Sequence, residues 1–218
     1  MKRALRKESI THLLPRIILC GLLAVILFGL SGKGLISMVT GPMYLSDSLE
    51  EGSYVSFDAS DVIVAFANLT AKSDSGTKTL KTYYLLPAGD NTYLAVMDRK
   101  EHHSDVLDKA MDQSHEYYLG DLETLTQLGP LQGTITALDD DMTSYMVDCI
   151  EKYTLPGYEE GGDTSALILP LQIDLDRVGL FSKTVTLILG GAGLLFLILM
   201  LVFLISALTG AYQKKAME

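Results

Sequence analysis

Between Val185 and Leu208 the chain runs for 24 residues without one charged side chain (VTLILGGAGLLFLILMLVFLISAL). As a helix rising 1.5 Å per residue it is about 36 Å long, enough to cross a hydrocarbon core of about 30 Å with some tilt. A core helix in a soluble chain of 218 residues is rarely apolar on every face. The run therefore predicts a transmembrane helix over 184–208.

A second apolar stretch, Ile17 to Leu30, suits either the apolar core of a signal peptide or that of a spanning helix. Lys2, Arg3, Arg6, Lys7 and Arg16 precede it, as both readings require. A spanning helix continues through Ser31–Gly34 to about Val39, with Lys33 near its outer end, where the stem can snorkel to the head groups. Gly32-Lys33-Gly34 is the only small-x-small cleavage candidate and a poor one, which favours an uncleaved anchor over 17–39. Cys20 lies inside the apolar run behind Leu19, which argues against a lipoprotein.

Orientation follows from Lys and Arg placement. Residues 1–16 hold five and residues 209–218 hold Lys214 and Lys215, whereas 40–183 carries nine against 25 acidic residues, a net charge of −16. Both termini are thus expected in the cytoplasm, as tails 1–16 and 209–218, with 40–183 outside the cell membrane. Tails that short cannot fold alone, so any inward signal needs another subunit. The overall charge of −10 argues against nucleic acid as a partner.

Within 40–183 the periodicity is that of strands broken by two helices. Gly52–Phe57 leads into Asp61–Ala67, which reads as a strand buried on both faces and joined to the first by a tight turn or a bulge. Ala71–Thr77 has loop chemistry, and Leu80–Leu86 with Thr92–Met97 forms a hairpin around Pro87–Asn91. Tyr83, Tyr84 and Tyr93 read as packing residues. A helix over Ser104–Tyr118 carries Val106, Leu107, Ala110, Met111 and Ser114 on one face; a strand follows at Gln132–Leu138. The second helix has Met142, Tyr145, Met146, Cys149, Ile150 and Tyr153 on one face, Asp139–Asp141 before it and Pro156-Gly157 after it. Ser165–Ile173 closes the pattern as a strand with Pro170 at an edge or bulge. The sum is an α+β domain, mostly antiparallel, with two amphipathic helices; a small OB-like barrel also fits.

No residue set assembles a reaction centre. His103 and His115 are twelve residues apart on or beside one helix and cannot share an ion; Asp112 with His115 or Glu116 is within reach but solvated. Asp139–Asp141 fits helix capping and the macrodipole better than calcium. Cys149 packs as a small hydrophobe, and Glu159–Asp163 reads as a solvated linker. No phosphate loop, nucleophile elbow or nucleotide fingerprint is present, so no catalytic residue, metal ligand or cofactor is assigned. In the apolar segments Thr186, Gly190 and Gly193, with Gly21 and Ala24, form small patches for close helix contact. They pair the two helices with each other or, alternatively, serve a homo-oligomer or another membrane protein. Neither helix has a buried acidic residue or His, and two helices cannot line a transport route alone.

Gly52-Ser-Tyr-Val-Ser-Phe57, Tyr83-Tyr-Leu-Leu-Pro87 with Asp90-Asn-Thr-Tyr93, and Gln132-Gly133-Thr134-Ile135 carry a resemblance. With these segments the chain resembles two-pass membrane proteins of Gram-positive bacteria whose extracytoplasmic domain has no known function. The resemblance covers most of the chain and implies placement, with no activity or site. The functional expectation is a membrane-anchored, non-enzymatic binding or accessory module. The alternatives are a small membrane-bound enzyme acting on envelope material through acidic residues, marked by a close carboxylate pair in a deep cleft, and a sensory subunit coupled to a membrane partner.

Overall fold

The computed structural model describes residues 10–45, 49–73, 76–89 and 91–215. Lys2, Arg3, Arg6, Lys7 and the loop residue Asp90 lie outside them. The chain divides into two compact units, one holding both ends of the chain and the other Thr40–Gly179.

In the first unit, α1 (Ile10–Thr40) and α4 (Lys183–Lys215) contain the two apolar runs. Each contains a segment long and apolar enough to cross a membrane, Leu13–Thr40 with mean hydropathy 2.5 and Lys183–Thr209 with 2.9. Most of their large side chains face outward, Val25 and Ile188 among them, and only a narrow strip is covered.

The second unit is built on one sheet. Its strands are β1 (Met43–Tyr44), β2 (Tyr54–Asp58), β3 (Val64–Ser73), β4 (Gly76–Pro87), β5 (Tyr93–Arg99), β6 (Pro130–Ala137) and β7 (Ile168–Asp174), in the order β1-β2-β6-β7-β5-β4-β3. The pairs β1–β2 and β5–β7 are parallel and the rest antiparallel. Helix α2 (Ser104–Leu119) packs on one face, where Leu107 and Ala110 join Val55, Tyr84, Leu94, Val96, Ile135 and Ile173. Helix α3 (Asp140–Tyr153) packs on the other, where Met146, Cys149 and Ile150 meet Leu85, Tyr93, Ala95 and Ile168. The fold is therefore α+β with a mixed, mostly antiparallel sheet between two helices. It is one seven-membered sheet with edges at β1 and β3, rather than a five-stranded OB-like barrel.

Coverage on both faces explains the burial pattern. Tyr83–Leu86 of β4 and Tyr93–Asp98 of β5 are buried without alternation, as central strands of a doubly covered sheet are. The sequence expectation placed such a strand at Asp61–Ala67, but that segment enters β3, the edge, and only Val62 in it is buried. Nor does it form a hairpin or one bulged strand with Gly52–Phe57: β2 and β3 lie at opposite sides of the sheet. The connection 59–63 crosses the α2 side, where Val62 N–H donates to Ser114 Oγ (3.0 Å) and Ile63 N–H to Leu85 O (2.9 Å). The expected loop 71–77 contracts, because β3 pairs with β4 out to Ser73↔Gly76. Pro170 is in the central strand β7, where the register with β5 slips between Tyr93↔Ile168 and Ala95↔Gln172. A residue with no N–H fits that bulge without losing a ladder bond.

The helix ends differ from the sequence expectation in one respect. Asp139 occupies the position before α3, yet its side chain makes no capping bond; Met142 N–H donates instead to its backbone carbonyl (2.8 Å). Asp140 and Asp141 in the first turn still complement the macrodipole. At the other end Thr154 turns left-handed (φ 49°) and stops the helix.

Candidate functional site

On α1 the covered positions are Leu13, Cys20, Ala24, Ser31 and Gly34; on α4 they are Thr186, Gly190, Gly193 and Ala207. The spacings are those of a heptad seam occupied almost wholly by small side chains. Added side chains show how close the helices are. A Cβ on Gly190 would lie 2.8 Å from Leu35 Cδ1, one on Gly193 3.4 Å from Leu27 and Phe28, and one on Gly21 3.0 Å from Met200 Sδ. These contacts run in one antiparallel register. Cys20, Ser31, Gly34 and Ala207 were missed from the sequence, although the same three-and-four spacing carries them.

In the domain, a cleft of about 800 Å³ opens at one end of the sheet. Four pieces of chain wall it: Ile63 and Val64 where β3 begins, Pro87, Gly89 and Asn91–Tyr93 from the end of β4 to the start of β5, the C-terminal half of α2, and Tyr153–Pro156 at the end of α3. Gly157 holds the last piece in place: its φ is +86°, and a Cβ there would lie 2.7 Å from Asn91 Cβ. The walls are mainly apolar, with Met111, Leu155 and Pro156 beside Tyr93, Tyr118 and Tyr153. Tyr118 Oη donates to Asp61 Oδ2 (2.8 Å) and Tyr93 Oη to Pro156 O (2.7 Å). Partial burial, then Asp61, pushes both phenols above their ordinary pKa, so both keep their protons. The other oxygen of Asp61, Oδ1, is buried without a hydrogen-bond partner.

A second, more polar cleft of about 670 Å³ lies between the N-terminus of α3 and the edge strand, lined by Asp139–Asp141, Tyr145, Phe66, Lys81 and Asn68. Its acidic wall is the helix start already described.

The opposite end of β5 gathers charge. Asp98, fully buried on the α2 face, accepts from His103 N–H through Oδ2 (2.9 Å), while its Oδ1 has no partner. Burial holds its pKa above the usual carboxylate range. Asp174, on the α3 face, is bridged by Arg99 Nη2 (2.6 Å) and Nε (3.2 Å), a forked pair that raises the guanidinium further. Asp176 binds Arg99 N–H (3.1 Å) and His102 Nδ1 (2.9 Å). Two carboxylates thus sit on neighbouring strands, but on opposite faces, and neither lines either cleft.

The three domain histidines are dispersed: His102 at Asp176, His103 at the start of α2, and His115 in the cleft wall beside Asp112. Among the described residues no group of three His, Cys, Asp or Glu is disposed to hold a metal. Cys149 is buried against the sheet, its thiol pushed up to about 11 by desolvation. Asn91 and Tyr153, and Asp61 behind Tyr118, were not recognised as site residues, because the cleft joins segments up to 93 positions apart.

These features define an α+β domain that follows one apolar helix in the sequence and precedes another, and that carries an apolar cleft. The chain belongs to the family described as a domain of unknown function (DUF8577), which matches residues 2–206. No curated protein and no solved structure matches the chain.

Proposed function

We propose that this protein is a membrane-anchored, non-enzymatic binding or accessory module. In this reading α1 and α4 span the membrane as a two-pass hairpin packed through Thr186, Gly190, Gly193, Gly21 and Ala24. The segment 40–183 lies outside and both tails are cytoplasmic. The apolar, outward-facing flanks of both helices support the anchoring, and the Lys/Arg distribution supports the orientation. The observation that carries the binding role is the cleft: an apolar concavity of about 800 Å³ with a few convergent polar groups is the usual form of a small-molecule site. The wide separation of Asp98 and Asp174 from that cleft favours binding over acid–base chemistry.

The test is a thermal-shift screen of the full-length protein in lipid nanodiscs against a small-molecule library, with His115→Trp as the blocked control. His115 is an exposed residue of the cleft wall, so the indole narrows the cleft without touching the core. Compounds that stabilise the native chain and not the variant support the reading. A library that shifts neither, together with stoichiometric co-purification of a second membrane protein in mild detergent, moves the function to the helices and an accessory role.

A further inference from the structure

Polar groups of the cleft wall have their protons committed elsewhere, and among the described residues no cationic side chain lines it, which bears on its ligand. A tyrosine hydroxyl has one proton and two lone pairs. Tyr118 spends its proton on Asp61 and Tyr93 spends its own on the Pro156 carbonyl. Thr92 Oγ1 does the same with Gly89 O (2.6 Å). Each therefore presents only lone pairs to a ligand. Asp112 adds a carboxylate, and among the described lining residues there is no Lys or Arg. The donors left are the Asn91 amide, the His115 ring and the hydroxyls of Tyr153 and Thr154.

The aromatic walls point the same way. Tyr93, Tyr118 and Tyr153 all line the cleft, and the negative face of a phenol ring attracts a cation within about 6 Å of its centroid. The Tyr153 ring already does so, since Lys152 Nζ stands 5.1 Å from its centroid. A segment with net charge −16 further raises the local concentration of cations. The remaining walls, Ile63, Met111 and Leu155 among them, are aliphatic.

Resting on the reading of this cleft as a ligand site, we propose that it selects an organic cation with an apolar body, an alkyl- or aryl-ammonium compound. The ammonium group sits between Asp112 and the tyrosine rings and donates to the free lone pairs of Tyr93 and Tyr118. The hydrocarbon part lies against Met111 and Leu155.

Three probes of matched size separate charge from hydrophobicity: phenethylammonium, 2-phenylethanol and 3-phenylpropionate, titrated calorimetrically into the full chain in nanodiscs. The expected order is ammonium, then alcohol about tenfold weaker, then carboxylate. Asp112→Asn, an exposed substitution on α2, removes most of the ammonium advantage and leaves the alcohol unchanged. Alcohol or carboxylate binding as tightly as the ammonium overturns the selectivity while the cleft stands as a site. Ammonium binding that survives His115→Trp unchanged places the cation elsewhere on the acidic surface and overturns the location. If none of the three binds, the ligand-site reading itself falls, and this proposal with it.

Discussion

Asp98 illustrates how one residue couples burial to pH. Its carboxyl is enclosed on β5, one oxygen is held by the His103 amide, and the other has no partner. Desolvation raises its pKa in the folded chain above the unfolded value of about 4. The native state therefore binds this proton more tightly than the unfolded state does. The stabilising contribution is complete below about pH 4 and is lost as pH rises through the raised value. Asp98→Asn keeps an oxygen for the His103 amide and has no proton to lose. Thermal midpoints of the two proteins, followed from pH 4 to pH 8, should diverge: the native chain loses stability across that window by a component absent from the variant. Parallel profiles would show that Asp98 does not titrate there.

At the scale of elements, β6 and β7 meet closely at one glycine. Gly133 lies within β6, and a Cβ on it would stand 2.6 Å from Asp174 O and 2.7 Å from Ile173 Cγ2. Neither neighbour yields cheaply: one is backbone, and the other belongs to a fully buried side chain. One residue on, Thr134 Oγ1 donates to Arg177 O (2.9 Å) and accepts from Gly179 N–H (3.1 Å), tying the chain after β7 back across the same strand. Gly133→Ala should cost about 1–3 kcal/mol, read as a fall of several degrees in the thermal midpoint of the full-length protein. An unchanged midpoint would mean that the two strands separate without loss. The same scale explains why the helices were easier to read than the strands. Leu107, Ala110 and Ser114 on α2, and Met146, Cys149 and Ile150 on α3, are buried as their period requires, because a helix writes its covered face into its own spacing. Tyr145 and Tyr153 continue the α3 pattern and yet remain half exposed, each in the wall of a cleft.

For the molecule as a whole, the proposed two-pass arrangement makes a labelling prediction. In a background with Cys20 and Cys149 replaced by alanine, Lys78→Cys on the exposed part of β4 should react with a membrane-impermeant maleimide in intact cells. Gln213→Cys, close to the end of the chain, should react only after the membrane is opened. The reverse pattern would invert the orientation and place the cleft in the cytoplasm. Labelling of both sites in intact cells would remove the anchor altogether.

The amino-acid sequence alone determined the two apolar helices, the α+β class and the faces of α2 and α3, because each depends on local composition or on a period within one segment. The hairpin of β4 and β5 was legible for the same reason, with turn formers between two apolar runs. The order of strands across the sheet was not. Which strand lies at the centre depends on pairings between distant segments, such as β5 with β7 and β2 with β6, and no local period records them. The apolar run at Asp61–Ala67 therefore read as doubly buried when it leads to an edge. The cleft belongs wholly to tertiary structure: it exists only where the end of α2, the turn after α3 and the β4–β5 loop converge. The protons of two of its tyrosine hydroxyls go to partners far away in the chain, Tyr93 to Pro156 and Tyr118 to Asp61.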